Sequence, residues 1–324
     1  MKNTATWKLI SGSLDKGIAV MLLYVLESAG SSPGRQGFFM AVNETGDTEG
    51  SIGGGIMEHK LAEMAKEQLR DKRDELQAGT IKKQFHDKSS ATNQSGMICS
   101  GEQTILLYRV TQTDFATIQQ IIHSLEQNTN GTLHLFPGGI NFSPFVPEKN
   151  FHFEMRSEKD WEYLEKTGYK NHLFIIGGGH CALAFAKLMC SLDFYIHQYD
   201  DRKEVKTMLR NKYAHEKHFV NDYSELANLV SSGTNHYVVI MTVGYRTDDI
   251  ALKALFDKEF RYLGLLGSKT KIQKMMKDYR KNGVKEEWLQ RIDAPAGLEI
   301  KSQAPAEIAV SIAAAIIRVK NEYL

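Results

Sequence analysis

The sequence predicts an α/β protein with a Rossmann-type, doubly wound parallel sheet in its C-terminal part and a smaller α+β domain before it. A strand, a glycine turn, a helix and a second strand follow one another between His172 and Asp200. Apolar strand-like runs then alternate with helical segments up to a last helix that Pro305 opens. The chain has 324 residues, more than one hydrophobic core usually serves. We therefore place two domains at residues 1–155 and 156–324.

The glycine turn matches a dinucleotide-binding fingerprint. Gly177-x-Gly179-x-x-Ala182 follows an apolar strand, and Asp200 ends the next strand about 20 residues on, where an acid meets a ribose hydroxyl. The first glycine permits a tight turn, the second lets the backbone approach a pyrophosphate, and the alanine lets the helix pack closely. The pattern predicts a phosphate-binding turn. The alternative is a turn that only packs a helix on a strand.

The alternating elements predict one crevice beyond the carboxyl ends of the parallel strands. Loops 177–180, 200–202, 242–246 and 267–269 are expected to surround it. The residues that we expect to bind a ligand there are Gly177, Gly179, His180, Asp200, Arg202, Gly267 and Ser268.

The N-terminal domain contains a second glycine cluster. Strands are predicted over 18–26 and 38–42, with hairpin-turn residues at 43–47. Gly53, Gly54 and Gly55 then precede a helix that begins near Glu58, so their N–H groups form a candidate anion cradle; a plain strand-to-helix turn is the alternative. Cys99 follows in a glycine-flanked loop, where it is either an exposed thiol of lowered pKa or a buried, inert one.

Other segments carry weaker patterns. Strands are predicted over 82–86 and 104–110 and a helix over 115–127. We expect irregular structure over 128–149, a short helical or linker segment over 161–166, and a helix over 201–213.

Composition excludes several classes of partner. Forty basic residues oppose 39 acidic ones, so no net field attracts nucleic acid or an acidic membrane. No apolar run approaches the roughly 18 residues that span a bilayer. The N-terminal residues lack the apolar core of a signal peptide, so we expect a cytoplasmic protein with its three cysteines as free thiols.

Three common chemistries find no support in the sequence. Tyr213 and Lys217 have the spacing of a short-chain dehydrogenase pair but follow the second strand of the sheet. His215 with His218, or His180 with a neighbouring cysteine, lacks further ligands at recognisable spacing, so no metal site is predicted. A serine nucleophile elbow is absent. No catalytic residue is assigned.

The chain resembles the XdhC/CoxI family of xanthine dehydrogenase accessory factors. The resemblance follows the family's order along nearly the whole chain. The segments that carry it are Ser32-Pro33-Gly34-Arg35, Gly50 to Glu58, Gly177 to His180 with Asp200 to Arg202, Gly264 to Lys269, Ala294 to Leu298, and Ala304 to Ala309.

The resemblance implies a chaperone, usually homodimeric, that binds the molybdenum cofactor and passes it to a xanthine dehydrogenase-type hydroxylase. A cysteine desulfurase is implied as a second partner. Gly53, Gly54, Gly55, Glu58 and Cys99 would then serve as first-domain cofactor residues. Two alternatives stay open: an NAD(P)-dependent oxidoreductase, which Asp200 favours, and a non-catalytic, nucleotide-sensing partner of a hydroxylase.

The chain departs from the family pattern at three positions. Ile56 and Val243 stand where many relatives have cysteine and histidine, and Ser100 stands where they have glycine. These departures bear on whether the protein itself ligates molybdenum.

Overall fold

The computed structural model describes residues 3–70, 79–85 and 101–322. The chain forms two compact units, Met1–Gly168 and Tyr169–Leu324. The predicted boundary at 155/156 falls inside a strand of the first unit. In the described part of the chain, no helix combines the length and apolar character that crossing a membrane requires.

The first unit is built on a five-stranded antiparallel sheet in the order β3-β2-β1-β5-β4. Its strands are β1 (Val20–Gly30), β2 (Phe39–Asn43), β3 (Thr48–Gly50), β4 (Thr80–Phe85) and β5 (Gly101–Val110). The predicted strands and hairpin turn are confirmed. β1 is central because its apolar run is buried on both faces.

Helices cover both faces of this sheet. They are α1 (Asn3–Asp15), α2 (Gly55–Arg70) and α3 (Phe115–Glu126). Met57, Leu61 and Leu69 of α2 pack with one face of β1, while Trp7 of α1 and Ile118 of α3 belong to the core on the other face. α1 was not predicted from the sequence.

A second antiparallel sheet, in the order β7-β6-β9-β8, completes the first unit. Its strands are β6 (Thr132–Phe136), β7 (Gly139–Ser143), β8 (Phe151–Ser157) and β9 (Asp160–Lys166). The expectations of irregular structure over 128–149 and of a helix or linker over 161–166 were therefore wrong. Trp161, Tyr163 and Glu165 alternate into the interior, the period of a half-buried strand. The Glu165 carboxylate accepts hydrogen bonds from the hydroxyls of Tyr24 (2.6 Å) and Tyr163 (2.7 Å).

The second unit is a six-stranded parallel sheet in the order β12-β11-β10-β13-β14-β15. Its strands are β10 (Asn171–Ile176), β11 (Phe194–Asp200), β12 (Glu216–Phe219), β13 (Gly233–Ile240), β14 (Phe260–Leu265) and β15 (Ile292–Asp293). Numbered from β10, this is the order 3-2-1-4-5-6 of dinucleotide-binding sheets. The predicted fold class is confirmed.

Helices lie on both faces of the parallel sheet. They are α4 (His180–Cys190), α5 (Lys206–Leu209), α6 (Leu226–Leu229), α7 (Tyr245–Ala254), α8 (Lys269–Lys281), α9 (Glu286–Leu289) and α10 (Pro305–Asn321). α4 and α10 pack in one core, and α6, α7 and α8 in the other. The helix predicted over 201–213 is wrong except for α5. Beyond α5, the side-chain amide of the buried Asn211 donates to the Gln198 side chain at 2.8 Å.

Candidate functional site

The turn after β10 requires glycine at its first position. Gly177 has φ +128°, and its N–H donates to the Tyr199 carbonyl at 2.7 Å. A Cβ here would lie 2.3 Å from the Met241 carbonyl oxygen. The Gln198 amide donates to the Gly177 carbonyl at 3.1 Å. Gly177 therefore lets the ends of β10, β11 and β13 meet.

The space above Gly179 is open. Gly179 caps the N-terminus of α4 in an ordinary extended conformation, with φ −75° and ψ −173°. A Cβ at this position would meet no atom within 4 Å. His180 is solvent-exposed, whereas Ala182 is fully buried in the core. The first turn of α4 thus offers its N–H groups to an anion without a steric barrier.

Arg202 clamps the buried acid at the end of β11. Asp200 is fully buried, and the Arg202 Nε and Nη2 atoms donate to its two oxygens at 2.9 and 2.8 Å. The backbone N–H of Arg202 adds a third bond at 2.9 Å. A Cβ on Gly178 would lie 2.9 Å from Asp200 Oδ2, so the clamp lies against the glycine turn. The Asp200 carboxylate is therefore not accessible to a ribose, whereas the Arg202 side chain that binds it is 42% exposed.

A buried ion pair connects the segment after β13 with the segment after β14. Asp248 is fully buried and accepts hydrogen bonds from the Thr242 hydroxyl (2.6 Å) and the Lys271 ammonium group (2.5 Å). Lys271 also donates to the Leu266 carbonyl at 2.9 Å. A Cβ at Gly267 would lie 2.3 Å from Lys271 Cε, so glycine makes room for the lysine. The sequence did not indicate this pair, because its members lie on different helices.

Ser268 is the N-cap residue of α8. Its hydroxyl caps α8 by accepting the Lys271 N–H at 3.2 Å, and its surface is exposed at the end of β14. The next residue, Lys269, pairs with Glu299 at 2.6 Å on the protein surface. Gly267 and Ser268 therefore position a helix N-terminus at the carboxyl end of the sheet.

In the first unit, the glycine loop forms a cradle that the chain fills with its own carboxylate. Glu58 Oε2 accepts hydrogen bonds from the Ser51 hydroxyl (2.7 Å) and from the N–H groups of Ile52 and Gly54 (both 2.9 Å). Gly53, Gly54 and Gly55 all have positive φ, which brings these donors together. An external anion would have to displace Glu58.

Two segments of the family pattern meet beside this cradle. The Gln103 amide donates to the carbonyls of Gly34 (2.9 Å) and Ile52 (3.1 Å). A Cβ on Gly53 would lie 2.5 Å from the Gly34 nitrogen, so the two loops are in contact. Cys99, which was predicted as a site residue, lies with Ser100 outside the described residues.

The other two departures from the family pattern are exposed. Ile56, in the first turn of α2, is 58% exposed, and Val243, beyond the end of β13, is 67% exposed. Both apolar side chains therefore lie on the surface near a candidate site.

His215 is held as a neutral imidazole. Its Nδ1 accepts the Ile196 N–H at 2.9 Å, so its proton resides on Nε2, which lies 2.7 Å from the Tyr169 hydroxyl. Burial lowers the pKa of His215 to about 4. Both ring nitrogens are engaged, which argues against the metal ligand considered from the sequence.

Comparisons with known proteins match both units. A model described as the XdhC Rossmann domain matches residues 173–316, and one described as the XdhC and CoxI family matches residues 13–78. The chain is 24% identical over 297 residues to the uncharacterized protein YqeB of Escherichia coli strain K12. That match covers 92% of this chain but 43% of YqeB, so the chain spans less than half of this relative.

A solved structure shares the fold. A crystal structure described as a xanthine dehydrogenase from Bacillus halodurans matches with a TM-score of 0.72 and 20% identity, covering 100% of this chain and 97% of that one. The two family models together match more than half of the residues. The chain therefore belongs to the XdhC and CoxI family.

Proposed function

We propose that this chain is an accessory protein that binds the molybdenum cofactor and delivers it to a xanthine dehydrogenase-type hydroxylase. Membership of the XdhC and CoxI family supports an accessory role beside such an enzyme. Binding and delivery of the cofactor, a cysteine desulfurase as second partner and a homodimeric assembly are further parts of the proposal, and the family resemblance supports them.

The observation that carries the proposal is the Asp200–Arg202 clamp beside the open N-terminus of α4. The pterin part of the cofactor carries a phosphate group. Helix-opening N–H groups at Gly179 and the guanidinium of Arg202 are the donors that such a group requires. The cradle of the first unit is already filled by Glu58, so we assign the phosphate to the second unit.

Two further candidates are an NAD(P)-dependent oxidoreductase and a non-catalytic partner of a hydroxylase that senses a nucleotide. The strand order of the second unit is that of dinucleotide-binding sheets. The clamp disfavours NAD, because Asp200 is buried and already bound by Arg202. It favours a nucleotide with an additional phosphate, to which Arg202 would donate hydrogen bonds.

Transfer of the cofactor is the direct test of delivery. The chain is purified from one host that makes the molybdenum cofactor and from another that does not. Each preparation is mixed with a hydroxylase that lacks its cofactor, and hydroxylase activity is measured. We expect activation only by the preparation from the cofactor-making host. Delivery is refuted if free cofactor activates the hydroxylase while neither preparation of the chain does.

A nicotinamide titration distinguishes the oxidoreductase from the proposed cofactor carrier. NADPH fluorescence is followed as the chain is added, with and without small carbonyl substrates. The proposed carrier should oxidise no NADPH. Turnover of NADPH would favour the oxidoreductase.

A further inference from the structure

Two histidines and a glutamate meet on one face of the parallel sheet. His197 lies on β11, and Glu216 and His218 lie on β12. The parallel register pairs His197 with Glu216 and Tyr199 with His218, so the three side chains share a face. One potential ligand atom from each of the three lies within 4.8 Å of the other two.

We propose that the His197–Glu216–His218 cluster binds a divalent transition-metal ion of the zinc class. Glu216 Oε2 lies 3.2 Å from His197 Nδ1 and 3.0 Å from His218 Nε2. Two ligands at zinc bond lengths in a tetrahedral site are about 3.4 Å apart. The distances from Glu216 Oε2 to the two histidine nitrogens are thus close to this ligand separation. Two imidazoles and a carboxylate are also the ligand set of known three-ligand zinc sites.

Neighbouring groups hold these ligands in place. The Tyr195 hydroxyl donates to the other Glu216 oxygen at 2.9 Å, and His172 Nδ1 lies 3.2 Å from the second ring nitrogen of His197. The Phe174 ring stacks on His197 with centroids 4.6 Å apart. Outer contacts of this kind orient metal ligands and raise metal affinity.

The three side chains of the cluster are partly exposed to solvent. The side chain of His197 is 14% exposed, and those of Glu216 and His218 are 41% and 37% exposed. An ion therefore has an entry path, and water can complete its coordination. The bound ion would join β12, the edge strand of the sheet, to β11.

The sequence did not predict this site. His218 was considered as a ligand, but its partners were not, because the approach of His197 depends on strand register and not on a spacing motif. Two imidazole N–H groups that donate to one carboxylate would also give the observed distances. A metal titration distinguishes these explanations.

The first unit supplies a matched control. His152, Glu154 and Glu162 form a second cluster of one histidine and two acids on β8 and β9. His152 Nε2 lies 3.8 Å from Glu162 Oε1, and these two side chains are each 44% exposed. We expect this surface cluster to bind zinc poorly, so His152→Asn should leave zinc affinity unchanged.

The test is a Zn²⁺ titration of the metal-stripped full chain against a chromophoric chelator. We expect the wild type to bind one equivalent of Zn²⁺ tightly. Zn²⁺ affinity should fall by more than about 100-fold in His218→Asn and in Glu216→Gln, and by about tenfold in His172→Asn. Co²⁺ in place of Zn²⁺ should give intense tetrahedral visible bands that His218→Asn abolishes. Circular dichroism tests whether each variant is folded. If His218→Asn does not fold, the near-isosteric Glu216→Gln variant still tests the proposal.

Three results would overturn the proposal. They are wild-type binding no tighter than millimolar, full affinity in a folded His218→Asn or Glu216→Gln variant, and loss of the tight equivalent in His152→Asn.

Discussion

Replacing Glu58 by alanine tests whether the first glycine loop depends on the chain's own carboxylate. The change removes the acceptor of three hydrogen bonds, from one hydroxyl and two backbone N–H groups. Such a bond to a charged group contributes about 1.5–3 kcal/mol, but these share one oxygen and exposed donors regain water, so we expect a total loss of about 2 kcal/mol. For a unit of this size, that loss lowers the unfolding midpoint by about 4–8 °C.

The assay is thermal unfolding followed by tryptophan fluorescence. Of the three tryptophans, Trp7 and Trp161 are buried in the first unit, and a Trp288→Phe background removes the third. Glu58→Gln is the matched control, because its amide retains an acceptor oxygen, and it should lose less than about half as much. Added sulfate should raise the midpoint of Glu58→Ala more than that of the wild type. A Glu58→Ala midpoint within about 1 °C of the wild type would refute the reasoning.

Other predictions concern the second unit. Gly177→Ala should destabilise it by several kcal/mol, because a Cβ meets a carbonyl oxygen at positive φ, whereas Gly179→Ala should be near neutral; urea unfolding of both variants checks this. Because the pKa of His215 is about 4 when folded and 6.5 when unfolded, its contribution is complete above pH 6.5 and is lost as pH falls towards 4. We expect that loss to be about 2 kcal/mol after allowance for partial exposure, and to be absent in His215→Gln when the two proteins are unfolded in urea across this range. Lys271→Met should lower the free energy of unfolding by about 3 kcal/mol, because it leaves the buried Asp248 carboxylate unpaired. Adding Asp248→Asn to this variant should recover part of the loss, because it removes that charge; chemical denaturation of both proteins measures the coupling.

The fold of the second unit was predictable because its central strands, β10 and β13, end in runs of residues that are all buried. A run such as 236–242 is apolar throughout most of its length, and helical segments separate it from the strands on either side. The fingerprint around Gly177 has the strand, helix and acid that its physical roles require. Local patterns therefore sufficed for the succession of strands and helices along the chain from β10 to β14 and for the place of the turn, whereas the order of strands in the sheet was not predicted.

The second sheet of the first unit was not predictable in the same way. Its strand β9 mixes aromatic residues with charged ones, and Glu165 suits the interior only because two tyrosines meet its carboxylate. One of them, Tyr24, is distant in the sequence, so no local pattern identifies the contact.

The candidate site shows the same limit. The positions of Asp200 and Glu58 were predicted, but spacing does not tell which way a carboxylate turns. Asp200 is bound by the arginine two residues later, and Glu58 turns back into its own loop. Both carboxylates therefore accept hydrogen bonds from their own chain. The fingerprint predicted the approach of a phosphate at Gly179, and the structure adds that no atom blocks the space there.

The most direct measurement is the pterin content of the chain purified from a host that makes the molybdenum cofactor. Pterin is released, oxidised and quantified by fluorescence for the wild type, for Gly179→Asp, and for Gly12→Asp as a control. Aspartate fits sterically at both glycines because a Cβ at either position would meet no atom within 4 Å, and at Gly179 it also caps α4. We expect near-stoichiometric pterin in the wild type and in Gly12→Asp, and almost none in Gly179→Asp. Pterin that persists in a folded Gly179→Asp protein, or is absent from the wild type, would contradict the proposed site.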